Sequence, residues 1–352
     1  MSDVPIIVEA DSLRDYARQL LQAGGFRPDD AAASADLLVW ANLRGVDSHG
    51  VLRIPRYVEM VEQGQINPDA EPRIIREHGA VAVADAGLAP TTSGMTVVCE
   101  KAVEIARRLG VGVCAARRIT HAGAIGYFAK RVTDAGMVGL VVTASRPLMA
   151  YPGARGEAIS TNPIAIGAPC GAGREPIVLD MSTAAVAFGK IMAARDAGKP
   201  LSPGWAVDAQ GRMTTDAAQV DALLPMAGYK GAGLSLMIEI LASVLSGNPI
   251  IATALEGGRP EGFNGLVVAL DPVAFGTPEI ILAEVARLAD AIHALPPAEG
   301  GGAVLLPGER GSREAANRDR DGIPVAAGTM RNLDRLAAKL GVRRPASIDV
   351  VA

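Results

Sequence analysis

The chain has 352 residues and a net charge of −4 at pH 7, from 34 Lys and Arg against 38 Asp and Glu. Its 49% hydrophobic and 20% charged residues exclude a disordered chain, and its length predicts about two domains. Because the sequence contains neither a long basic tract nor an apolar run of ~20 residues, we expect no nucleic-acid and no membrane partner. Residues 1–10 lack the basic segment of a secretory signal, so we expect a cytoplasmic protein.

The three cysteines, Cys99, Cys114 and Cys170, are too few and too far apart for a disulfide framework or a zinc cluster. Without a cysteine cluster of that kind, we expect no metal site. An odd number of cysteines fits a reducing compartment.

Residues 1–64 are predicted to form helices. Asp11 and Ser12 are typical caps for a helix over 11–22, and Pro28 with two following aspartates is typical of the first turn of a second helix. A third helix is predicted to begin at the Asp47-Ser48 turn and to run to about residue 63.

From residue 72 onwards, strands and helices alternate. Strands are predicted at 73–76, 81–84, 111–115, 138–143, 177–179, 266–270 and 303–306. Helices are predicted at 91–109, 124–134, 184–195, 231–245, 279–293 and 330–340. This alternation predicts an α/β domain of residues 72–309, and the segments 1–71 and 310–352 are expected to pack together as a helical domain.

The common nucleotide-binding motifs are absent or stand in the wrong context. Residues 110–115 match the letters of a G-x-G-x-x-A fingerprint, but the match ends a helix and opens a strand. A Rossmann phosphate turn requires the reverse order, so that a helix amino terminus faces the pyrophosphate. The sequence also lacks a P-loop and a G-x-S-x-G elbow. Any bound nucleotide is therefore expected in a different fold.

His49 stands in a group of residues suited to a carboxylate substrate. If the third helix begins at the Asp47-Ser48 turn, His49 and Arg53 share one face, with Ser48 beside them and Tyr57 one turn further on. An imidazole that exchanges a proton near neutral pH would then stand beside a planar, bidentate carboxylate binder. The alternative is a Ser cap with a solvated His and Arg at a helix start.

Other candidates lie at strand-to-helix junctions. His121 follows a strand, where ligands of α/β sheets usually bind, although an N-terminal helix cap explains it equally well. Lys230 lies between glycines before an apolar helix, and the segments after Asp180 and Pro307 occupy similar junctions. Together, these junctions predict one cofactor site; singly, they are also ordinary connections.

Five segments, taken together, resemble the malate/L-lactate dehydrogenase family, which is unrelated to the Rossmann-type enzymes. The run from Arg44 to Arg53, RGVDSHGVLR, resembles the signature of this family. The other four are STNP at 160–163, VLDM at 178–181, LP with GYKG at 224–231 and LPGE at 306–309. They stand in the family order over nearly the whole chain.

The resemblance implies an NAD(P)-dependent oxidoreductase, usually a homodimer, with a non-Rossmann mixed-sheet cofactor domain. By position, Ser48, Arg53 and Tyr57 would bind the substrate, and His49 and His121 are the two proton-transfer candidates. The residues that would line the NAD or NADP site are Ser145, Asp180, Met181, Ser182, Tyr229, Lys230, Pro307, Gly308 and Glu309.

The leading hypothesis is reversible hydride transfer between nicotinamide and a small 2-hydroxy or 2-oxo acid, malate- or lactate-like. Arg53 would hold the carboxylate, and His121 or His49 would exchange the hydroxyl proton. One alternative is reduction of a cyclic imino acid such as Δ1-piperideine-2-carboxylate. Others are a catalytically inactive binding or assembly protein of the same fold and, more remotely, a Schiff-base enzyme using Lys230.

Overall fold

Eleven α-helices and twelve β-strands occur in the part of the chain that the computed structural model describes, residues 4–171, 173–196 and 198–345. The helices, α1 to α11 in order, are Ala10–Ala23, Pro28–Leu43, Ile54–Glu62, Thr91–Leu109, Gly126–Asp134, Phe188–Asp196, Tyr229–Glu239, Ile251–Leu255, Pro278–His293, Glu309–Asp321 and Ala327–Leu340. The strands, β1 to β12 in order, are Ile6–Val8, Arg73–His78, Val81–Asp85, Val111–Ile119, Val138–Ala144, Ile164–Ala168, Ile177–Met181, Ala206–Val207, Met213–Thr214, Ala222–Leu223, Phe263–Leu270 and Ile323–Val325.

The central sheet has seven strands in the order β2-β3-β4-β11-β5-β6-β7. Strands β3 and β4 are parallel, and every other neighbouring pair is antiparallel, so the predicted mixed sheet is confirmed. Val141 and Val267 belong to the main core with α4 and α5, whereas Val142 and Leu266 pack in a second cluster with Ile238 of α7. This alternation explains why β5 is apolar throughout: helices cover both of its faces.

One end of this sheet gathers the predicted site segments. Because β4 and β5 are both antiparallel to β11, their carboxyl ends lie at the same end of the sheet. β6 begins there and β7 ends there, since each pairs antiparallel with its neighbour. The loops that start at residues 120, 145 and 182 therefore emerge together, which is the arrangement expected for a ligand site.

The two ends of the chain pack against each other. Strand β1 pairs antiparallel with β12, and α11 lies against α1 and α3. Tyr16 of α1 donates its hydroxyl to Asp334 of α11 at 3.2 Å, and Lys339 pairs with Glu62 at 2.6 Å. The boundaries of the predicted helical domain stay a prediction, and its residues 1–3 and 346–352 lie outside the described part. The main hydrophobic core runs without interruption from these helices into the sheet.

A small three-stranded sheet, in the order β10-β8-β9, forms a separate layer beside α6. Its own apolar cluster includes Met149, Ile191 and Leu223. Among the described residues, no helix has the length and apolar character required to cross a membrane.

Three predicted elements are wrong. The third helix begins at Ile54 rather than at the Asp47-Ser48 turn, where two short 3₁₀ turns stand instead. The helix expected from residue 184 begins at Phe188, because the Ala185 amide donates to the Leu224 carbonyl at 2.8 Å and keeps this segment extended. Residues 303–306, expected as a strand, form no regular element.

Candidate active site

The turn between α2 and α3 is organised by Asn42, near the end of α2. The Asn42 amide nitrogen donates to the Asp47 carboxylate at 2.6 Å, and its oxygen accepts the Val51 amide at 2.8 Å. Gly50 is required here because a Cβ at this position would lie 2.1 Å from the Asn42 side-chain oxygen. The side chain of a single residue thus satisfies backbone and carboxylate groups on both sides of the turn.

The carboxyl-terminal helices hold the same turn. Arg318 of α10 donates to the Asp47 carboxylate at 2.8 Å and to the Asn42 carbonyl at 2.6 Å. The Arg318 side chain is largely buried, and the hydrogen bonds from its guanidinium are charge-assisted. Ser48 and His49 therefore stand on backbone that both ends of the chain fix.

This turn brings the two predicted proton-transfer histidines together. The imidazole rings of His49 and His121 are stacked, with centroids 5.7 Å apart and planes at 7°. His49 Nδ1 lies 3.0 Å from Ser48 Oγ, and His121 Nδ1 lies 2.8 Å from the Tyr57 hydroxyl. Arg53 donates from Nε to the Ser48 carbonyl at 2.8 Å, which leaves its terminal nitrogens available for a ligand.

Burial keeps both imidazoles neutral. It lowers the pKa of His49 to about 4, with a further contribution from the positive charge of Arg53. Burial also holds the pKa of His121 well below its ordinary value, and the charge of Arg53 and the neighbouring His49 act in the same direction. The pKa of Tyr57 is raised by its burial, so its hydroxyl stays protonated. At neutral pH, the group thus offers a neutral imidazole beside a cationic guanidinium.

A cavity of about 480 Å³ opens at this group, within the usual size range of ligand pockets. Three of the predicted residues line it: Arg53, Tyr57 and His121. Ser48 and His49 do not line it, and neither do the predicted cofactor residues. Its other lining residues are Arg56, Met60, Gly64, Gln65, Leu88, Ile119, Thr120, Arg146, Arg259, Pro260, Glu261, Gly262 and Phe263.

Ser145 lies at the end of β5 in a buried polar network. Its amide donates to Asn162 at 3.1 Å, and its hydroxyl lies 2.6 Å from the Ser160 hydroxyl. Asn162 in turn donates to the Ser235 carbonyl at 3.0 Å, which ties this loop to α7.

Asp180 connects β7 to the loop of His121. Its carboxylate accepts the amide of Gly126, the first residue of α5, at 2.8 Å. Desolvation raises the pKa of Asp180, and the Gly126 amide and the Arg44 guanidinium partly offset that shift. Met181 pairs with Ile164 at the start of β6.

The next residues lead from β7 to α7. Ser182 accepts the Ala184 amide at 3.2 Å, and the Thr183 carbonyl accepts the Met226 amide at 2.9 Å. A Cβ at Gly231 would lie 2.7 Å from that same Thr183 oxygen, so only glycine permits this close approach. Tyr229 and Lys230, the first two residues of α7, have exposed side chains.

The start of α7 also has features of an anion site. Ala227 and Gly228, which precede the helix, have positive φ angles of 46° and 61°. Most amides of this turn donate to carbonyls of the chain, those of Gly228 and Gly231 at 3.2 and 3.0 Å, and the amino terminus of the helix adds the positive potential that suits an anion. Nearby, the fully buried Thr183 hydroxyl has no hydrogen-bond partner among the described residues.

The Pro307–Glu309 segment packs along β7. The Pro307 carbonyl accepts the Val178 amide at 3.3 Å, and Arg44 donates to the Gly308 carbonyl at 3.0 Å. Glu309 pairs with His293 at 2.8 Å, and this contact, together with the Leu306 amide, lowers the pKa of the carboxyl against the opposing effect of burial.

Sequence reasoning missed several residues that the fold brings to these groups. Arg146 and Arg259 line the cavity. The position of Arg146 next to Ser145 is the one signal that could have indicated it. Arg259 stands in a loop without any periodic pattern, so no local signal marks it. Gly189 at the start of α6 lies against Ser48, since a Cβ there would be 3.4 Å from the Ser48 Cβ. In residues 4–171, 173–196 and 198–345, no cluster of three or more His, Cys, Asp or Glu side chains could hold a metal ion.

Comparison with known proteins identifies the family. The family model for malate/L-lactate dehydrogenase matches residues 8–334. Malate dehydrogenase of Pyrococcus horikoshii is 33% identical over 96% of this chain and 96% of its own length. The structure of sulfolactate dehydrogenase from Methanocaldococcus jannaschii superposes with a TM-score of 0.87 at 33% identity, over 96% of this chain and 98% of the other.

A structural relative with a different named activity is Δ1-piperideine-2-carboxylate reductase from Pseudomonas syringae pv. tomato. It has a TM-score of 0.83 and 30% identity, over 94% of this chain and 99% of the other. These relatives are two dehydrogenases of 2-hydroxy acids and one imino-acid reductase, which implies a nicotinamide cofactor. The chain belongs to the malate/L-lactate dehydrogenase family and is an oxidoreductase of the 2-hydroxy-acid kind.

Proposed function

We propose that this protein catalyses reversible hydride transfer between NAD or NADP and a small 2-hydroxy or 2-oxo acid, malate- or lactate-like. The observation that carries the proposal is the cavity onto which Arg53 and His121 both open. A guanidinium and an imidazole on one cavity wall are the two groups needed to hold a carboxylate and to move the proton of a neighbouring hydroxyl.

Arg53 would bind the substrate carboxylate. Its Nε is occupied by the Ser48 carbonyl, and no carboxylate lies within ion-pair distance of it in the described part of the chain. The guanidinium is therefore oriented by the protein but not neutralised by it. Two parallel hydrogen bonds to a carboxylate would fix the substrate relative to His121.

His121 is the proposed acid/base group, with His49 as the second candidate. When Nδ1–H of His121 donates to the Tyr57 oxygen, Nε2 keeps its lone pair and can accept the hydroxyl proton. In the reducing direction, the same nitrogen would return the proton to the substrate oxygen. Stacking on His49 restricts the rotation of the His121 ring.

The described residues fit a nicotinamide dinucleotide, which when bound supplies or accepts the hydride. The positive potential at the amino terminus of α7 and the unpartnered Thr183 hydroxyl suit polar groups of such a ligand. The residues that would hold the coenzyme are Ser145, Asp180, Met181, Ser182, Tyr229, Lys230, Pro307, Gly308 and Glu309.

A second candidate function is reduction of a cyclic imino acid, favoured by the likeness to the Δ1-piperideine-2-carboxylate reductase. The same guanidinium would hold the ring carboxylate, and His121 would deliver its proton to nitrogen instead of oxygen. A third possibility, of another class, is a binding or assembly protein that keeps the fold without turnover.

A panel of 2-oxo acids and Δ1-piperideine-2-carboxylate, assayed with NADH and NADPH in parallel, tests the proposal. We expect saturable coenzyme oxidation with at least one 2-oxo acid. Oxidation with the cyclic imine alone would favour the second candidate. Absence of turnover, with no saturable quenching of Trp40 fluorescence by either coenzyme, would support the binding protein; Trp40 is a suitable reporter because Arg44 lies over its ring and contacts Gly308.

We also propose that the protein forms a homodimer through α7 and the π-helical turn that follows it. The π-helical turn is Ile240–Val244. Six exposed apolar side chains lie on α7, on this turn or directly after it: Leu236, Met237, Ile240, Leu241, Val244 and Leu245. An exposed patch of this kind is typical of a subunit interface. Met237→Glu is expected to give monomers in light scattering, whereas an unchanged mass would contradict this interface. The cytoplasmic location stays a prediction from the sequence.

A further inference from the structure

Four arginines line the cavity that contains His121. Arg53 and Arg56 belong to the segment before and within α3, Arg146 follows Ser145 at the end of β5, and Arg259 stands in the loop before β11. Three separate parts of the chain therefore bring guanidinium groups to one cavity.

Most of this positive charge is not neutralised by the protein. Arg56 pairs with Glu59 at 2.7 Å, but Arg53, Arg146 and Arg259 have no carboxylate within ion-pair distance in residues 4–171, 173–196 and 198–345. Arg146 only donates to the Pro260 carbonyl, at a long 3.4 Å.

Other charged groups at the cavity do not neutralise these three arginines. Glu261, the single acidic residue among those that line it, pairs with Arg118 at 3.4 Å. His121 adds no negative charge, since it is a neutral imidazole. The cavity thus keeps three uncompensated guanidinium groups, which is more than one substrate carboxylate on Arg53 requires.

We propose that Arg146 and Arg259 form a second anion subsite, so that the preferred substrate is a 2-oxo or 2-hydroxy acid with a second acidic group. This inference rests on the proposed function, in which Arg53 holds the first carboxylate. Like-charged guanidinium groups around one cavity repel each other, and a dianion bound between them removes that repulsion while forming charge-assisted hydrogen bonds.

A coenzyme phosphate fits this subsite less well than a substrate group does. Of the segments proposed for the coenzyme, those around Asp180, Lys230 and Pro307 contribute no residue to this cavity, and Ser145 itself does not line it, although Arg146 follows it directly. Arg146 and Arg259, by contrast, share it with Arg53 and His121, the groups proposed to contact the substrate.

A matched pair of substrates tests the subsite. Oxaloacetate carries two carboxylates, whereas 2-oxovalerate has a similar length and only one. We expect wild-type kcat/KM to favour oxaloacetate. Arg259→Gln and Arg146→Gln should each lower kcat/KM for oxaloacetate about 10- to 100-fold, the effect of one lost charge-assisted hydrogen bond, and change that for 2-oxovalerate less than about twofold. Arg287→Gln, an exposed arginine paired with Glu284 on α9, is the control and should change neither.

Equal losses for both substrates in the Arg146 and Arg259 variants, or a wild-type preference for 2-oxovalerate, would overturn the subsite. Both arginines are exposed, and unfolding temperatures within experimental error of wild type will establish that the variants are folded.

Binding without turnover separates this inference from the proposed function. Calorimetric titration of the coenzyme-free protein with succinate and with butyrate compares a dianion with a monoanion of the same carbon number. Tighter binding of succinate that is lost in Arg259→Gln supports the subsite even if no 2-oxo acid is reduced, an outcome in which the proposed function alone fails. Turnover of 2-oxo acids without any dependence of succinate binding on Arg146 or Arg259 would overturn the subsite and leave the function standing.

Discussion

Removal of the Tyr57 hydroxyl tests the role of His121 most directly. The Tyr57 side chain is 7% exposed, and its oxygen lies 2.8 Å from His121 Nδ1. When His121 takes a proton at Nε2, the hydrogen bond from Nδ1–H to this oxygen becomes charge-assisted and therefore stronger. Tyr57→Phe deletes the acceptor and leaves the ring otherwise unchanged.

The expected magnitude follows from that bond. A charge-assisted hydrogen bond contributes ~1.5–3 kcal/mol, and ~1.36 kcal/mol corresponds to a tenfold change in rate. We therefore expect Tyr57→Phe to lower kcat about 10- to 150-fold. KM should change less than about threefold, because Arg53 is untouched. Without its acceptor, the imidazolium is less stable, so the limb of the pH–rate profile that reports His121 should move to lower pH.

Steady-state kinetics over a range of pH, in both reaction directions, measure these effects. Tyr16→Phe is the matched control, because Tyr16 is also buried and donates its hydroxyl to Asp334 at 3.2 Å, in the packed helices. It should lower the free energy of unfolding without changing kcat. Wild-type kcat and an unshifted pH profile in Tyr57→Phe would refute the role given to this pair.

Further predictions concern the same groups. Arg53→Lys should raise KM for the substrate about tenfold with little change in kcat, because a point charge lacks bidentate geometry; an unchanged KM would count against the carboxylate contact. His121→Ala and His49→Ala should each lower kcat at least ~10²-fold, and wild-type turnover in both would make the acid/base assignment wrong. The pKa of His49 is about 4 in the folded protein, against 6.5 for an ordinary imidazole in the unfolded chain. As pH falls from 6.5 to 4, the unfolded chain therefore binds a proton that the folded protein does not, and the free energy of unfolding falls by up to about 3 kcal/mol. Denaturant titrations should show a smaller loss in His49→Gln. Gly308→Ala, where φ is 88° and a Cβ would lie 2.7 Å from the Val178 carbonyl, should destabilise the fold by about 1–3 kcal/mol in the same titrations.

Elements with strong local signals were predictable from the sequence. Pro28 and its two aspartates begin α2 as expected, and the β-branched run of β5 and the hairpin of β2 and β3 occur where periodicity predicted them. In each case, the local preference and the tertiary environment agree, so contacts with the rest of the chain do not alter the result.

Where distant contacts decide the backbone, local reasoning was wrong. The Asp47–His49 turn is 3₁₀ rather than α-helical, because Asn42 and Arg318 bind its polar groups in that conformation. Residues 303–306 are apolar but have no strand neighbour, and an apolar run alone does not form a strand without a partner.

The composition of the candidate site was predictable only in part. Helix spacing, a strand-to-helix junction and position in the family indicated Arg53, Tyr57 and His121, which line one cavity in the structure. The stacking of His49 on His121 depends on how the first helices pack against the sheet, which no local pattern encodes. Arg259 stands in an irregular loop, and its role in the cavity depends on the loop path alone.

The contact of Arg318 with the first turn has a consequence for biosynthesis. The amino-terminal helices leave the ribosome long before α10 is synthesised. Asp47 therefore has no contact with the Arg318 guanidinium until translation is nearly complete. Until then, the loop with Ser48 and His49 lacks one of its two anchors. Catalytic competence should therefore emerge as a late event, after the sheet has formed.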